Sequence, residues 1–213
     1  MKIASSGFSL IELMVGLAIL VILLIAGVPA LSSWMQNAQI RNEAESIQNA
    51  LQLARAEAVR RNTVVRFQLV NTIESGCATS TQGTSWVVSL DNATGACDAI
   101  PMQDGVAGDQ TPRIIQRNAA TSAAPNVVVN ATLATISFNG FGRQESVSVS
   151  GGGVTPSPPE QVNIVITNPT GGACASSTNQ NNPMRCLNIV VSPGGNVRMC
   201  DPALNLLDTQ GCG

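Results

Sequence analysis

The chain begins Met1-Lys2-Ile3-Ala4-Ser5-Ser6-Gly7 and continues as Phe8-Ser9-Leu10-Ile11-Glu12 into the apolar run LMVGLAILVILLIAGVPAL of residues 13–31. About 20 apolar residues are enough for an α-helix to span a bilayer. A secretory signal peptide carries its small-residue cleavage site after a shorter apolar region. Here the small residue, Gly7, comes before a long one. This order predicts a short polar leader followed by a retained membrane helix.

One acidic residue, Glu12, lies just inside the apolar segment. A carboxylate within a membrane helix costs about 2.5–3.5 kcal/mol on insertion scales, so we expect Glu12 to have a partner. Cleavage after Gly7 creates a new amino terminus on Phe8, about one helical turn from Glu12. In a packed assembly, the terminal amine of a neighbouring chain can then pair with the carboxylate of Glu12.

The stretch from Gly7 to Glu12, followed by an apolar helix, resembles the class III signal of type IV pilins and type II secretion pseudopilins. The resemblance implies that prepilin peptidase removes residues 1–7 and methylates Phe8. It implies that Glu12 sets the register of each subunit in a helical filament. Pro29 is similar to the helix-kinking proline of the pilin anchor.

The same resemblance implies partners and a location. Segment 8–31 serves as the transmembrane and assembly segment and contacts other major and minor pilins. The chain crosses the inner membrane once before assembly, with its head in the periplasm, and then lies in the pilus at the cell surface. The expected organisation is a leader (1–7), an N-terminal helix (8–62) and a β-rich head (63–213).

Beyond Pro29 an apolar residue recurs every three or four positions, which predicts an amphipathic helix whose apolar stripe packs on a sheet. The stripe consists of Ile40, Ala44, Ile47, Leu51, Ala54 and Ala58. The charged residues between them are expected to form a solvated face and are Arg41, Glu43, Glu45, Arg55, Glu57, Arg60 and Arg61. Glu57 and Arg61 have the favourable i,i+4 order. Asn62 and Thr63 end the helical pattern.

The rest of the chain consists of short β-branched runs separated by turn residues, which predicts strands. The runs are 64–70, 86–90, 112–116, 127–129, 134–138, 146–149, 162–167, 187–191 and 197–199. We therefore predict an α+β fold, the type IV pilin fold, with a long N-terminal helix packed on an antiparallel β-sheet head. Residues 136–143 (ISFNGFGR) and 194–202 (GGNVRMCDP) are similar to signatures of the GspH/FimT-type minor pilins.

Six cysteines follow the anchor, and their even number after an export signal predicts three disulfides in an oxidising compartment. They are Cys77, Cys97, Cys174, Cys186, Cys200 and Cys212. Fifteen pairings are possible, of which the simplest joins each cysteine to the next one. A zinc site is not expected because the chain has no histidine and no Cys-x-x-Cys pair.

The sequence does not predict an enzyme or a bound cofactor. Without histidine, the Ser-His-Asp, Cys-His and His-Glu-x-x-His arrangements are absent. Asp98, Asp104 and Asp109 lie near glycines, but their spacing lacks the alternation of a calcium-binding loop. The net charge of −2 provides no general attraction for nucleic acid.

Part of the FimT-like group carries a Gly-Arg-x-Arg motif implicated in DNA capture. This chain has Gly195-Asn196-Val197-Arg198, with Asn196 in place of the first arginine. Arg185 is a candidate substitute if the Cys174–Cys186 loop folds against the last strand. Paired cations would add affinity for double-stranded DNA by releasing phosphate counterions.

Three functions are consistent with the sequence, because all three use the same anchor. The first is a minor pilin that helps to prime or cap a type IV pilus. The second is a minor pilin that binds DNA for uptake in natural transformation. The third is a minor pseudopilin of type II secretion. Three disulfides favour the pilus-exposed forms.

Overall fold

A computed structural model describes residues 9–102, 111–120, 126–146, 159–205 and 207–212, without the side chains of residues 26–30. The chain divides into two compact units, Met1–Met35 and Gln36–Gly213. Among the described residues one α-helix, α1, covers Leu10–Arg61. The described strands are β1 (Val65–Val70), β2 (Ser85–Ser89), β3 (Ile114–Asn118), β4 (Val128–Ala131), β5 (Thr135–Phe138), β6 (Gln144–Glu145), β7 (Val162–Thr167), β8 (Leu187–Val191) and β9 (Val197–Cys200), with a 3-10 turn at Pro169–Gly171.

The first unit contains the apolar part of α1. Its side chains from Leu10 to Ile25 are all exposed, and Leu17 and Ile25, for example, are 53% and 71% exposed. The backbone is helical through Pro29. In the part of the chain that the structure describes, no helix has the length and apolarity needed to cross a membrane.

The second unit begins with the amphipathic part of α1, which the sequence had assigned to the N-terminal helix rather than to the β-rich head. From here on, the head means this whole unit, Gln36–Gly213. All six residues of the predicted apolar stripe are fully buried, which confirms that the stripe packs in the core. There they join apolar side chains of both sheets in one cluster, including Phe67 of β1 and Ile164 of β7. The spacing of three and four residues thus turns one side of this part of α1 towards the strands and leaves the other side in solvent.

The end of α1 is a Schellman motif. The N–H of Thr63 donates to the carbonyl of Ala58 at 3.2 Å, and the N–H of Asn62 donates to the carbonyl of Val59 at 3.3 Å. Asn62 has a left-handed backbone (φ 47°), which asparagine tolerates better than most residues. Glu57 pairs with Arg61 at 2.7 Å, as its spacing predicts.

The strands form two antiparallel sheets. The first has the order β3-β2-β1-β5-β6 and the second β4-β7-β8-β9. The predicted α+β architecture, with an N-terminal helix whose second part packs on antiparallel strands, is confirmed. Strand β6 differs from the predicted run 146–149. It covers Gln144–Glu145 and pairs with the end of β5. Residues 147–149 lie outside the described residues.

All six cysteines are paired, in three disulfides that join neighbours in sequence: Cys77–Cys97, Cys174–Cys186 and Cys200–Cys212. Cys77–Cys97 closes a loop that contains β2, Cys174–Cys186 closes the connection before β8, and Cys200–Cys212 joins the last residue of β9 to the end of the chain's described part. The disulfides stabilise the second unit by restricting the unfolded chain.

The expectation of a solvated charged face on α1 is wrong for Glu43. This residue is only 4% exposed, and within the described structure its Oε1 atom has no hydrogen-bond partner. Burial raises the pKa of its carboxyl group to about 7. Glu43 lies one turn from Ile40 and from Ile47, so it borders the buried stripe rather than the solvated face.

Candidate functional site

The start of α1 carries the predicted processing and assembly residues. Oε2 of Glu12 accepts a hydrogen bond from the N–H of Ser9 at 3.1 Å, and Oγ of Ser9 accepts one from the N–H of Ile11 at 3.3 Å. This reciprocal arrangement is a capping box, which satisfies backbone donors at the helix N-terminus. Gly7, Phe8 and the side chain of Pro29 lie outside the described residues.

The apolar surface that follows Glu12 is continuous around the helix. A helix that is apolar on all sides is stable only where apolar neighbours surround it, in a membrane or among other helices. The side chains from Leu10 to Ile25 are exposed, so no described residue of the chain covers them. This segment is therefore suited to assembly with other apolar helices.

The second candidate is the basic motif at the end of the chain. Arg198 is exposed on β9, and its Nη1 atom donates to the carbonyl of Gly211 at 3.3 Å. Asn196 is exposed in the turn between β8 and β9, and its N–H donates to Oγ of Ser192 at 3.1 Å. The motif thus presents one guanidinium, tied to the loop that Cys212 closes.

Arg185 does not lie beside Arg198. In the ladder between β8 and β9, Arg198 is opposite Val190, five residues beyond Arg185. At about 3.3 Å per residue, the two positions are separated by roughly 17 Å along the strands. Nη1 of Arg185 instead contacts Oδ2 of Asp201 at 3.2 Å, and its N–H donates to Oδ1 of Asn37 at 2.8 Å. Arg185 therefore has a structural role beside Asn37, at the beginning of the amphipathic part of α1.

Arg143 is the arginine that lies against the β8–β9 turn. A Cβ atom on Gly195 would lie 3.2 Å from the Cα of Arg143 and would overlap the carbonyl oxygen of Gly142. Gly195 has a positive φ of 80°, which glycine adopts without strain. The N–H of Gln144 donates to the carbonyl of Pro193 at 3.1 Å and joins the two turns. Sequence reasoning missed this neighbour, although Arg143 ends one of the two signature stretches.

The turn between β5 and β6, Asn139–Arg143, is a third surface feature, which we call the tip. Phe141 at its apex is 87% exposed. Oδ1 of Asn139 accepts hydrogen bonds from the N–H groups of Phe141 (3.1 Å) and Arg143 (3.2 Å), and Nε of Arg55 donates to the carbonyl of Gly142 at 3.0 Å. The tip is therefore held in one conformation while its aromatic ring faces solvent.

A polar cavity of about 350 Å³ lies between α1 and the edge strand β3. At its side, Oγ of Ser46 accepts hydrogen bonds from Nε1 of Trp86 (3.2 Å) and Nδ2 of Asn118 (3.3 Å). These contacts tie α1 to the first sheet. The residues that line the cavity carry no charge and are Ser46, Asn49, Ala50, Leu53, Trp86, Gln116 and Asn118.

Metal binding has no support in the described part of the chain, where no group of three histidine, cysteine, aspartate or glutamate side chains is arranged to hold an ion. Asp98 is exposed. Asp104 and Asp109 lie outside the described residues, so the calcium alternative involves positions that the structure leaves undescribed.

Comparison with known proteins found one family match in the N-terminal segment and another that covers most of the head. The family described as type II transport protein GspH matches residues 43–195, and the prokaryotic N-terminal methylation motif matches residues 3–28. These matches confirm the predicted GspH/FimT-type pilin with a class III signal. No curated protein matches the chain.

Two crystal structures of the type IV minor pilin FimU of Pseudomonas aeruginosa (strain PAO1) are similar to this chain. The P65 form is 13% identical, with a TM-score of 0.45, and the match covers 75% of this chain and 90% of FimU. The P21 form is 14% identical, with a TM-score of 0.48, and the match covers 78% of this chain and 91% of FimU.

Proposed function

This chain belongs to the GspH family of pilin-like proteins, and from that premise we propose that it is a minor pilin that helps to prime or cap a type IV pilus. The observation that carries the proposal is the methylation motif over residues 3–28 at the start of a helix whose apolar side chains are exposed. Such a helix needs a membrane before assembly and neighbouring pilin helices afterwards. Its role is structural, not enzymatic.

On this proposal the chain occupies two locations in succession, the inner membrane and the filament. First it is a single-pass protein of the inner membrane, with segment 8–31 in the bilayer and the head in the periplasm. Prepilin peptidase then removes residues 1–7 and methylates Phe8. The processed chain leaves the bilayer for the filament, where Glu12 pairs with the terminal amine of a neighbouring pilin and Pro29 bends the helix.

Processing is tested by replacing Gly7. Gly7→Val is expected to leave the leader uncut, because the peptidase requires a small residue before the cleavage site. Gly16→Ala, a change within the helix where a Cβ meets nothing within 4 Å, is the matched control and should be processed normally. Mass spectrometry of each variant determines which residue is at its N-terminus. A Gly7→Val chain that still begins at Phe8 would refute the proposed processing.

A type II secretion pseudopilin is an alternative, which is favoured by the match of residues 43–195 to the family of the type II transport protein GspH. Three disulfides favour a pilus, because a subunit exposed outside the cell gains more from covalent stabilisation. Recovery of the processed chain in sheared surface pili would support the pilus. A pseudopilus would be supported if the processed chain is absent from sheared pili and if its assembly requires the type II secretion genes.

DNA capture is the second candidate, favoured by one observation: Arg143 lies against Gly195 of the Gly195–Arg198 motif, near where the first arginine of a Gly-Arg-x-Arg motif would stand. The test is a gel shift of the full chain in detergent with double-stranded DNA. Micromolar, salt-sensitive binding that Arg198→Ala and Arg143→Ala weaken would support it. Arg185→Ala is the matched control, because that guanidinium is paired with Asp201. No binding at low salt would exclude this function.

A further inference from the structure

The cavity between α1 and β3 contains polar side chains that the fold itself does not use. Its volume of about 350 Å³ lies within the range of small-molecule sites, which is about 300–1,000 Å³. Two of its lining residues, Asn49 and Gln116, are exposed. Within the described structure, neither side chain makes a hydrogen bond. Both amides are therefore free to bind a ligand.

The bottom of the cavity is fixed by contacts with the core. Trp86 is only 3% exposed, and its ring packs against that of Phe67, with the ring centroids 6.2 Å apart. Oγ of Ser46 accepts hydrogen bonds from Nε1 of Trp86 at 3.2 Å and from Nδ2 of Asn118 at 3.3 Å. A ligand thus meets an indole and an amide whose positions are set before it binds, which lowers the cost of ordering them.

A β-bulge turns the two amides of β3 towards α1. The pairing of β2 with β3 shifts its register between Val88 and the next residue. Gln116 is then opposite Val88, and Asn118 is opposite Trp86. Val88 and Trp86 belong to the core cluster that α1 joins, so both amides lie on the same face of the sheet as α1. Bulges often redirect side chains in this way beside functional sites.

Charged groups next to the cavity in sequence are engaged elsewhere. Arg117 lies on the other face of β3, where its Nη1 atom donates to the carbonyl of Cys97 at 2.8 Å. Glu45 precedes Ser46 on α1, and its carboxylate pairs with Arg41 at 3.0 Å. None of the described residues that line the cavity is charged. The cavity therefore offers hydrogen bonds without a net charge.

This chemistry selects a class of ligand. A charged ligand would lose its hydration without gaining an opposite charge. A purely apolar ligand would displace water from the amides and leave them unpaired. Each amide both donates and accepts, as a sugar hydroxyl group does. The side chains of Leu53 and Trp86 add an apolar wall that suits the C–H groups of a sugar ring.

We propose that the cavity between α1 and β3 binds a neutral saccharide. Its hydroxyl groups bond to the amides of Asn49, Gln116 and Asn118. The C–H face of its ring lies on Trp86 and Leu53. This binding is additional to the proposed pilin function and does not depend on it, because it requires only the folded head.

The first test uses Trp86 as the reporter. In the full chain, Trp34→Phe leaves Trp86 as the one remaining tryptophan. The protein is purified in a detergent without a sugar head group and titrated with glucose, galactose and N-acetylglucosamine. At least one of them is expected to change the indole fluorescence saturably, with a dissociation constant of about 1 mM or lower. Glucose 6-phosphate and N-acetylneuraminic acid should bind about tenfold more weakly, because the cavity lacks a cation.

The second test removes the two free amides. Asn49→Ala combined with Gln116→Ala is expected to weaken binding about tenfold, since each change removes a hydrogen bond to the ligand. Gln52→Ala, at an exposed amide of α1 outside the cavity, is the matched control and should leave the affinity unchanged. Because neither amide has a partner in the fold, thermal unfolding of the double variant should match that of the unsubstituted chain.

Saturation-transfer difference NMR of the unsubstituted chain repeats the titration without relying on the indole or on a variant. The proposal is overturned if neither method detects any of the three neutral sugars at about 50 mM, well above the expected constant. It is also wrong if the charged sugars bind as tightly as the neutral ones, or if the folded double variant keeps full affinity. Incorporation into sheared pili is measured separately, so failure of the pilus function is distinguishable from failure of saccharide binding.

Discussion

The N–H of Ser9 donates a hydrogen bond of 3.1 Å to Oε2 of Glu12, so the acid within the apolar segment caps its own helix in the isolated chain. A capping box of this kind provides about 1 kcal/mol of helix stability. The same carboxylate is the residue that we expect to pair with a neighbour's terminal amine. On this proposal, assembly exchanges an internal contact of Glu12 for an intermolecular one.

Replacing this carboxylate separates the two roles. We expect Glu12→Ala to insert into the membrane normally, since it removes a costly charge from an apolar helix. Incorporation into the filament should fall, because the amine of the neighbour loses its partner. Immunoblots of the membrane fraction and of sheared pili measure both. Normal incorporation of Glu12→Ala would contradict the pairing.

Glu43 should make the stability of the head depend on pH. Its pKa is about 7 in the folded chain and near 4.5 in the unfolded chain, so the folded state holds this proton more tightly. The stabilising contribution is complete below about pH 4.5 and is lost as the pH rises through 7. The difference amounts to at most about 3 kcal/mol.

Glu43→Gln is expected to remove this pH dependence, measured as the free energy of unfolding in urea at pH 5 and pH 8. The control is Glu45→Gln, because Glu45 is exposed and its pair with Arg41 contributes little. If the unsubstituted chain and Glu43→Gln lose the same stability between the two pH values, Glu43 is not the titrating group.

Asp91 joins the end of β2 to the beginning of β3 through a bidentate pair. Its Oδ2 and Oδ1 atoms accept hydrogen bonds from Nε (2.8 Å) and Nη2 (2.7 Å) of Arg113. The Arg113 side chain lowers the pKa of Asp91 to about 2. The stabilisation is present above the unfolded pKa of 3.8 and is lost as the pH falls through 2.

Asp91→Asn should therefore lower the free energy of unfolding at pH 7 by about 1 kcal/mol, since both side chains are partly exposed. Asp98→Asn, at an exposed carboxylate, should change it by less than about 0.5 kcal/mol. Chemical denaturation at pH 7 compares the two. Equal effects of both substitutions would show that the pair does not stabilise the sheet.

Gly195 holds the β8–β9 turn against the tip. Gly195→Ala combines a left-handed backbone with overlap of Gly142, so we expect a loss of about 2–4 kcal/mol. Gly76 has a similar φ of 76°, but a Cβ there meets nothing within 4 Å. Gly76→Ala should cost about 1–2 kcal/mol, from the backbone alone. Thermal unfolding of the two variants distinguishes close packing from backbone strain, and equal losses would exclude the packing contribution.

The local sequence pattern was sufficient to predict much of this fold. The apolar stripe from Ile40 to Ala58 and most strands follow from residue spacing, because helices and strands bury side chains with fixed periods. The end of α1 near Asn62 follows from the end of that pattern. The sequential disulfides are equally local, since each closes a loop of 12 or 20 residues. The processing motif is read from adjacent residues and requires no tertiary information.

The sequence by itself thus determined the N-terminal methylation motif, the family of the chain and the α+β fold. Tertiary structure alone decided the surroundings of individual polar residues, because those depend on contacts between distant segments. It buried Glu43 beside the stripe, separated Arg185 from Arg198, and brought Arg143 against Gly195 through the meeting of two turns about 50 residues apart. It also left Phe141 exposed on a rigid support, since its neighbours rest on the end of α1 while its ring has no place in the core.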